Sequence, residues 1–217
     1  MFSPLSPLLK GRGTLATLTL LGLAALPQVA QAQSLTTIFT GGNRNIVGGN
    51  VLFDLNVVSG ITVTSLATNV ASAQTGLTVN LQVWARSGTS VGFEAAPAGW
   101  TLVSSGTATA AATNTPTLFD VSDFILGPGI TGIAIRNVDF SAEYTNGNGS
   151  NQVYSNADLT LTAGSATNAF FGGAFNTPRV WNGTINYSGG GSAAPEPGTL
   201  ALLALGIVGG VVARRRK

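Results

Sequence analysis

The middle of the chain alternates between apolar and polar positions. In LTVNLQVWAR, residues 77–86, Leu77, Val79, Leu81, Val83 and Ala85 fall on one side of an extended backbone. Thr78, Asn80, Gln82, Trp84 and Arg86 fall on the other. VLFDLNVV, residues 51–58, repeats the pattern with Val51, Phe53, Leu55 and Val57 inward and Asp54 and Asn56 outward. A period of two marks a half-buried strand, because successive side chains of extended backbone leave opposite faces. IAIRNVDF, residues 133–140, keeps Ile133 and Ile135 on one face and then slips by one, so that Val138 and Phe140 follow. A bulge near Asn137 would restore the inward phase.

Further strands are predicted over residues 35–40, 61–68, 100–110, 117–121, 159–162 and 180–187. Between them stand turn clusters such as GGNRN from Gly41, APAG from Ala96 and TNGNGSN from Thr145, compositions that favour tight turns. Many short strands, regular turn signals and no amphipathic helical period predict an all-β domain, an antiparallel β-sandwich or jelly roll. A β-solenoid would need a fixed repeat length, which the chain lacks. Trp100 and Trp181 sit in apolar strands and are expected in the core, with Tyr187 alternating onto the same side as Trp181 and Ile185.

Both ends break this pattern. Lys10 and Arg12 precede the apolar run of residues 14–26, followed by Pro27 and the small-x-small exit Ala30-Gln31-Ala32. These are the parts of a secretory signal peptide over residues 1–32, with signal peptidase as partner and Gln33 as first mature residue. The apolar run is shorter than the ~20 residues of a spanning helix. At the other end a Gly/Ser/Ala linker, residues 189–194, leads into Pro195-Glu196-Pro197, an apolar stretch of about 15 residues and the basic run Arg214, Arg215, Arg216 and Lys217. Proline on both sides of Glu196 keeps that segment extended. The stretch is short for a transmembrane helix and spans with its basic ends snorkelling. Basic flanks stay inside, which leaves the preceding chain outside.

The order of these parts, Pro195, Glu196, Pro197, then the apolar helix, then Arg214 to Lys217, resembles the PEP-CTERM sorting signal of exopolysaccharide-producing bacteria. The resemblance implies an inner-membrane intermediate, recognition by a membrane-embedded exosortase, removal of the tail and delivery to the cell surface or extracellular matrix. An ordinary tail anchor is the other reading of the same residues. NADLTLTAG from Asn156 and RVWNGTINY from Arg179 are also loosely similar to other passengers of that family, a likeness that carries no activity with it.

The remaining passenger, residues 33–188, is of single-domain size. The chain's net charge of +2 misleads, since Lys10, Arg12 and the last four residues lie in the two end segments. The passenger holds four arginines against seven carboxylates, net −3, and no lysine. Nucleic acid, which demands neutralised phosphates, is excluded as a partner. The chain has no cysteine and no histidine, which removes disulfide support, the commonest general base and the commonest metal ligand.

Four stretches carry candidate chemistry. GPGITG, with Gly127, Gly129 and Gly132, has phosphate-loop spacing, yet strand-like residues follow it where a helix N-terminus would be required. Asp120 and Asp123 form a close carboxylate pair of the kind glycoside hydrolysis uses. The loop from Tyr144 to Asp158 offers amide and carboxylate oxygens to calcium but lacks the acidic twelfth position of an EF-hand. Trp84 stands among Gln82 and Arg86 on the polar face of its strand, where an indole can stack on a sugar ring; the alternative is that a loop or second layer covers it, the commoner fate of tryptophan. The combined reading is a non-catalytic, exported surface or matrix protein associated with exopolysaccharide, with no cofactor unless calcium. The alternatives are an exported glycan hydrolase on Asp120 and Asp123, and a self-associating adhesin.

Overall fold

The computed structural model describes residues 32–189. The expected signal peptide, the linker past Gly189 and the sorting tail with its apolar helix lie outside the described residues. No helix among those described is long and apolar enough to cross a membrane.

Alternating sequence folds here into strands β1 (Ala32–Thr36), β2 (Asn43–Arg44), β3 (Asn50–Val57), β4 (Ile61–Asn69), β5 (Thr78–Ser87), β6 (Thr101–Thr109) and β7 (Pro116–Leu126). They continue as β8 (Gly129–Asn137), β9 (Glu143–Asn146), β10 (Val153–Ser155), β11 (Leu159–Ala169), β12 (Gly172–Trp181) and β13 (Gly183–Gly189). Apart from a 3-10 turn at Ser72–Gln74, the domain is all β and antiparallel. The spatial order is β1-β13-β4-β7-β6-β5-β8-β3-β11-β12-β9-β2, with β10 on the remaining edge of β11.

The expected sandwich is therefore made from one sheet that curls so that its two arms face each other. Phe53, Val83 and Ile135 from one arm meet Val63, Phe124 and Ile185 from the other around an apolar void of about 10 Å³, too small to admit a ligand. Phe119 of β7 stacks on Phe140 at 5.8 Å between centroids. The inward residues predicted for β3 and β5 are buried, except that Ala85 is only partly buried and Leu77 lies in the preceding turn and is 55% exposed.

The two ends of the sheet meet where β12 passes into β13. The stretch 180–187, expected as one strand, divides at Asn182: Trp181 pairs with Tyr144 of β9, whereas Gly183 pairs with Thr68 of β4. Trp181 is fully buried, stacks on Phe53 at 5.0 Å and donates from its indole Nε1 to Thr68 Oγ1. Around it, the Thr37 hydroxyl donates to Trp181 O at 2.6 Å and accepts from Gly183 N–H. Asn182 O accepts from Asn69 N–H, and Asn182 Oδ1 accepts from the Thr145 hydroxyl.

Four further boundaries differ from the alternation. No bulge forms at Asn137. β8 ends there, and the buried Asn137 amide accepts from Asn45 Nδ2 and donates to Ile46 O and Phe140 O, so a hydrogen-bonded bend carries Phe140 inward. β7 runs five residues past Val121, because a bulge at Ser122 and Asp123 resets the inward phase to Phe124 and Leu126. β12 shows no alternation, since residues 173–177 are exposed on both faces and hold on to β11 through backbone pairing. The first strand starts at Ala32, opposite Ser188, upstream of the predicted 35–40.

A second clamp lies at the opposite end. Tyr187, 1% exposed, donates from its hydroxyl to Asp158 Oδ2 at 2.9 Å and accepts from Asn156 Nδ2, which also donates to Ser34 O. Burial, and then the hydrogen bond to Asp158 and its negative charge, push this phenol up from 10.0 to about 12, against a smaller lowering by Asn156.

Two outcomes follow from these contacts. A Cβ on Gly183 would enter the Trp181 indole, whereas one on Gly60 meets only Leu126 O at 3.6 Å. Gly183→Ala is expected to lose about 1–3 kcal/mol and Gly60→Ala almost nothing, measured by denaturant titration. Because the folded phenol keeps its proton to higher pH than the unfolded one, its contribution is complete below pH 10 and disappears as pH rises toward about 12. Unfolding free energy should fall across that window in the wild type, and Tyr187→Phe should flatten the fall.

Candidate functional site

The sugar-stacking trio Gln82, Trp84 and Arg86 lies together on the outer face of β5, but the face is roofed. Leu52, Ala134 and Trp84 form a row across β3, β8 and β5. The β11–β12 hairpin folds over that row and sets Phe170 at 5.0 Å and Phe171 at 6.0 Å from the Trp84 ring. Residues 88–100 complete the cover with Trp100, which packs 5.0 Å from Phe171 and donates from Nε1 to Phe93 O. Phe171 adopts φ 44°, a left-handed conformation that costs a bulky residue about 1–3 kcal/mol. Its burial in this cluster and the bond from its N–H to the Asn50 side-chain oxygen at 3.2 Å hold it there.

The polar members are engaged as well. Gln82 Oε1 accepts from Trp84 Nε1 and from Arg136, whose guanidinium lies 4.2 Å from the Phe170 ring centre. The Arg86 guanidinium stacks 3.3 Å from the centre of Phe93 and donates to Thr89 O. Trp84 is half-buried, and this second small core accounts for an indole on a polar strand face. Trp100, expected in the core, is buried in this cluster, while Trp181, Ile185 and Tyr187 share the main core.

The other candidates separate. Asp120 and Asp123 are both exposed on the outer face of β7, on either side of its bulge. In GPGITG, Gly129 takes φ 104° at the first position of β8, and Gly132 lets the Ser90 backbone and Arg86 pass where a Cβ would stand. A strand follows, so no helix N-terminus faces a phosphate. Between Tyr144 and Asp158 the amides are engaged within the protein: Asn148 Oδ1 accepts from Ser150 and Asn151, Asn151 Nδ2 donates to Asn146 O, and Asn146 Oδ1 accepts from Asn43 Nδ2. Asp158 holds Tyr187. Among the described residues no three of His, Cys, Asp and Glu gather as metal ligands.

One site was not legible as such. Gly41, Gly42, Asn43, Arg44, Thr113, Asn114 and Glu143 line an open cleft of about 410 Å³. Its sequence signal was GGNRN, which also reads as a turn; the partners from residues 113–114 and 143 come from distant parts of the chain.

The fold and its candidate surfaces define a compact β passenger ahead of an addressing tail. The protein-family model of the PEP-CTERM protein-sorting motif matches residues 193–217, and none of the curated proteins compared matches the chain. The chain thus carries a PEP-CTERM sorting domain at its C-terminal end and is an exported, exosortase-sorted protein directed to the surface.

If Phe170 roofs Trp84, Phe170→Ala should red-shift tryptophan emission and increase its quenching by acrylamide, with a loss of about 1–3 kcal/mol of stability. In a Trp84→Phe background the emission change should vanish.

Proposed function

We propose that residues 33–188 act in the extracellular matrix by contact with exopolysaccharide rather than by chemical turnover. The observation that carries this reading is the sorting motif at residues 193–217, because a passenger sent to the surface of an exopolysaccharide-producing cell meets that polymer first. The passenger suits the role: it is nearly uncharged, has no lysine and presents hydroxyls and amides on its solvent faces. Asp120 and Asp123 lie on a convex strand face outside the cleft, which favours contact over hydrolysis.

Self-association is the second reading, and one feature favours it. β6 pairs with β7 at Gly106 and Thr107 alone, so residues 101–105 keep a splayed edge, and Ile125 on that half of β7 is 78% exposed. Such edges accept further strands.

Mature protein collected from the cell surface is expected to cosediment with exopolysaccharide purified from the producing cells and to leave its chain length unchanged. Protein that stays in the supernatant as a monomer overturns the matrix reading; large particles without polymer, seen by light scattering, replace it with self-association. Shortened polymer would transfer the function to Asp120 and Asp123, with Asp123→Asn as the check.

A further inference from the structure

The cleft occupies a definite place in the fold. β1 and β13 lie side by side with Ala32 opposite Ser188, so the chain enters and leaves the domain at one end. From there β13 runs back to Gly183, opposite Thr68 of β4; Asn69 stands opposite Pro116 of β7, Trp181 opposite Tyr144 of β9, and Tyr144 opposite Asn43 of β2. All the cleft residues therefore cluster at the other end, on the order of 20 Å away at 3.3 Å per strand residue. The described chain ends, at Gly189, on the side opposite the cleft.

Hydrogen bonds between its walls hold the cleft in shape. Asn114 sits at φ 63°, a conformation asparagine tolerates. Its N–H donates to Oδ1 of the fully buried Asn69 at 2.8 Å, and Asn69 Nδ2 donates back to Asn114 Oδ1 at 3.1 Å. Asn114 Oδ1 also accepts from Gly41 N–H at 2.8 Å, which locks the opposing wall, and the Thr113 hydroxyl donates to Val70 O. Preorganisation of this kind lowers the ordering cost of binding.

These bonds use the N–H and Oδ1 of Asn114, a residue that lines the cleft, and engage no hydrogen of its Nδ2. Beside them stand the Arg44 guanidinium and the Glu143 carboxylate, 4.0 Å apart, with side chains 58% and 13% exposed. The walls thus offer planar donors next to a planar acceptor, with charges that cancel and no apolar side chain. Neighbouring hydroxyls, each both donor and acceptor, match such a set, because amide, guanidinium and carboxylate groups bond them in pairs. A polyanion would meet Glu143, and an apolar ligand would find nothing to cover it. The volume lies within the range of small-ligand sites.

We infer that this cleft, at the end of the domain opposite Gly189, binds a neutral sugar unit of the exopolysaccharide; the inference rests on the matrix reading above. Gly42 makes the test clean. A Cβ there meets nothing within 4 Å, and its φ lies outside the left-handed region, so a side chain at this position starts in open space and Gly42→Trp is the variant chosen to obstruct the cleft. Arg44→Ala, at an exposed position, is the second variant.

Mature wild-type protein should be retained on a column of the cells' own exopolysaccharide and eluted by free neutral monosaccharide. Gly42→Trp should weaken retention about ten-fold or more and Arg44→Ala several-fold, at unchanged melting temperature. Variants retained like the wild type would overturn the cleft and leave the matrix reading in place. A wild type that is not retained would overturn the matrix reading itself. Elution by salt but not by neutral sugar would overturn the ligand class.

Discussion

Closure of the curled sheet depends on the Trp181 indole. The sheet has two ends, one carrying β1 and β13 and the other β12, β9 and β2, and the chain passes from one to the other across Asn182. The indole fills that seam: it stacks on Phe53 of the central strands, bonds Thr68 of one sheet end and stands in the space that glycine leaves at position 183. A ring of this size buries more apolar surface than any other residue available to the chain. Its single polar atom must find a partner once buried, and Thr68 supplies it. The two arms can enclose a core only if this junction stays dry.

Without disulfides, the ends of the sandwich are held by buried asparagines. Asn45 and Asn137 tie the segment before β3 to the end of β8, Asn69 and Asn114 tie β4 to the β6–β7 connection, and Asn182 ties the seam to β9 through Thr145. An amide carries donors and an acceptor in one plane, so one buried side chain can replace several lost backbone partners. The same device that closes the loops also shapes the distal cleft, since the bond pair between Asn69 and Asn114 fixes one wall and reaches the other through Gly41. Rigidity of the scaffold and preparation of the cleft have one physical origin.

Legibility varied with pattern strength. The strands β3, β5 and β8 bury one face against the main core, and their alternation names most of the inward residues. β7 and β11 were read short because bulges reset the phase within them. β2, β9, β10 and β12 were invisible: the first three span two to four residues, and β12 pairs through its backbone with little side-chain burial. Trp84 was correctly placed on the polar face, and its two readings stayed open until the β11–β12 hairpin was seen folding over it.

The sequence alone determined the all-β class, most of the core and, through Pro195-Glu196-Pro197 and the basic terminus, the route the chain takes. These are local properties, because strand period and sorting tail are each written within a few consecutive residues. Only the tertiary structure decided that the two layers are one curled sheet, that residues 180–187 change partners at Asn182, and that Gly42, Asn114 and Glu143 share a cleft at the end opposite the chain's exit. Those facts join positions far apart in the chain. They depend on which strand edges find each other during folding, and neither period nor composition encodes that pairing.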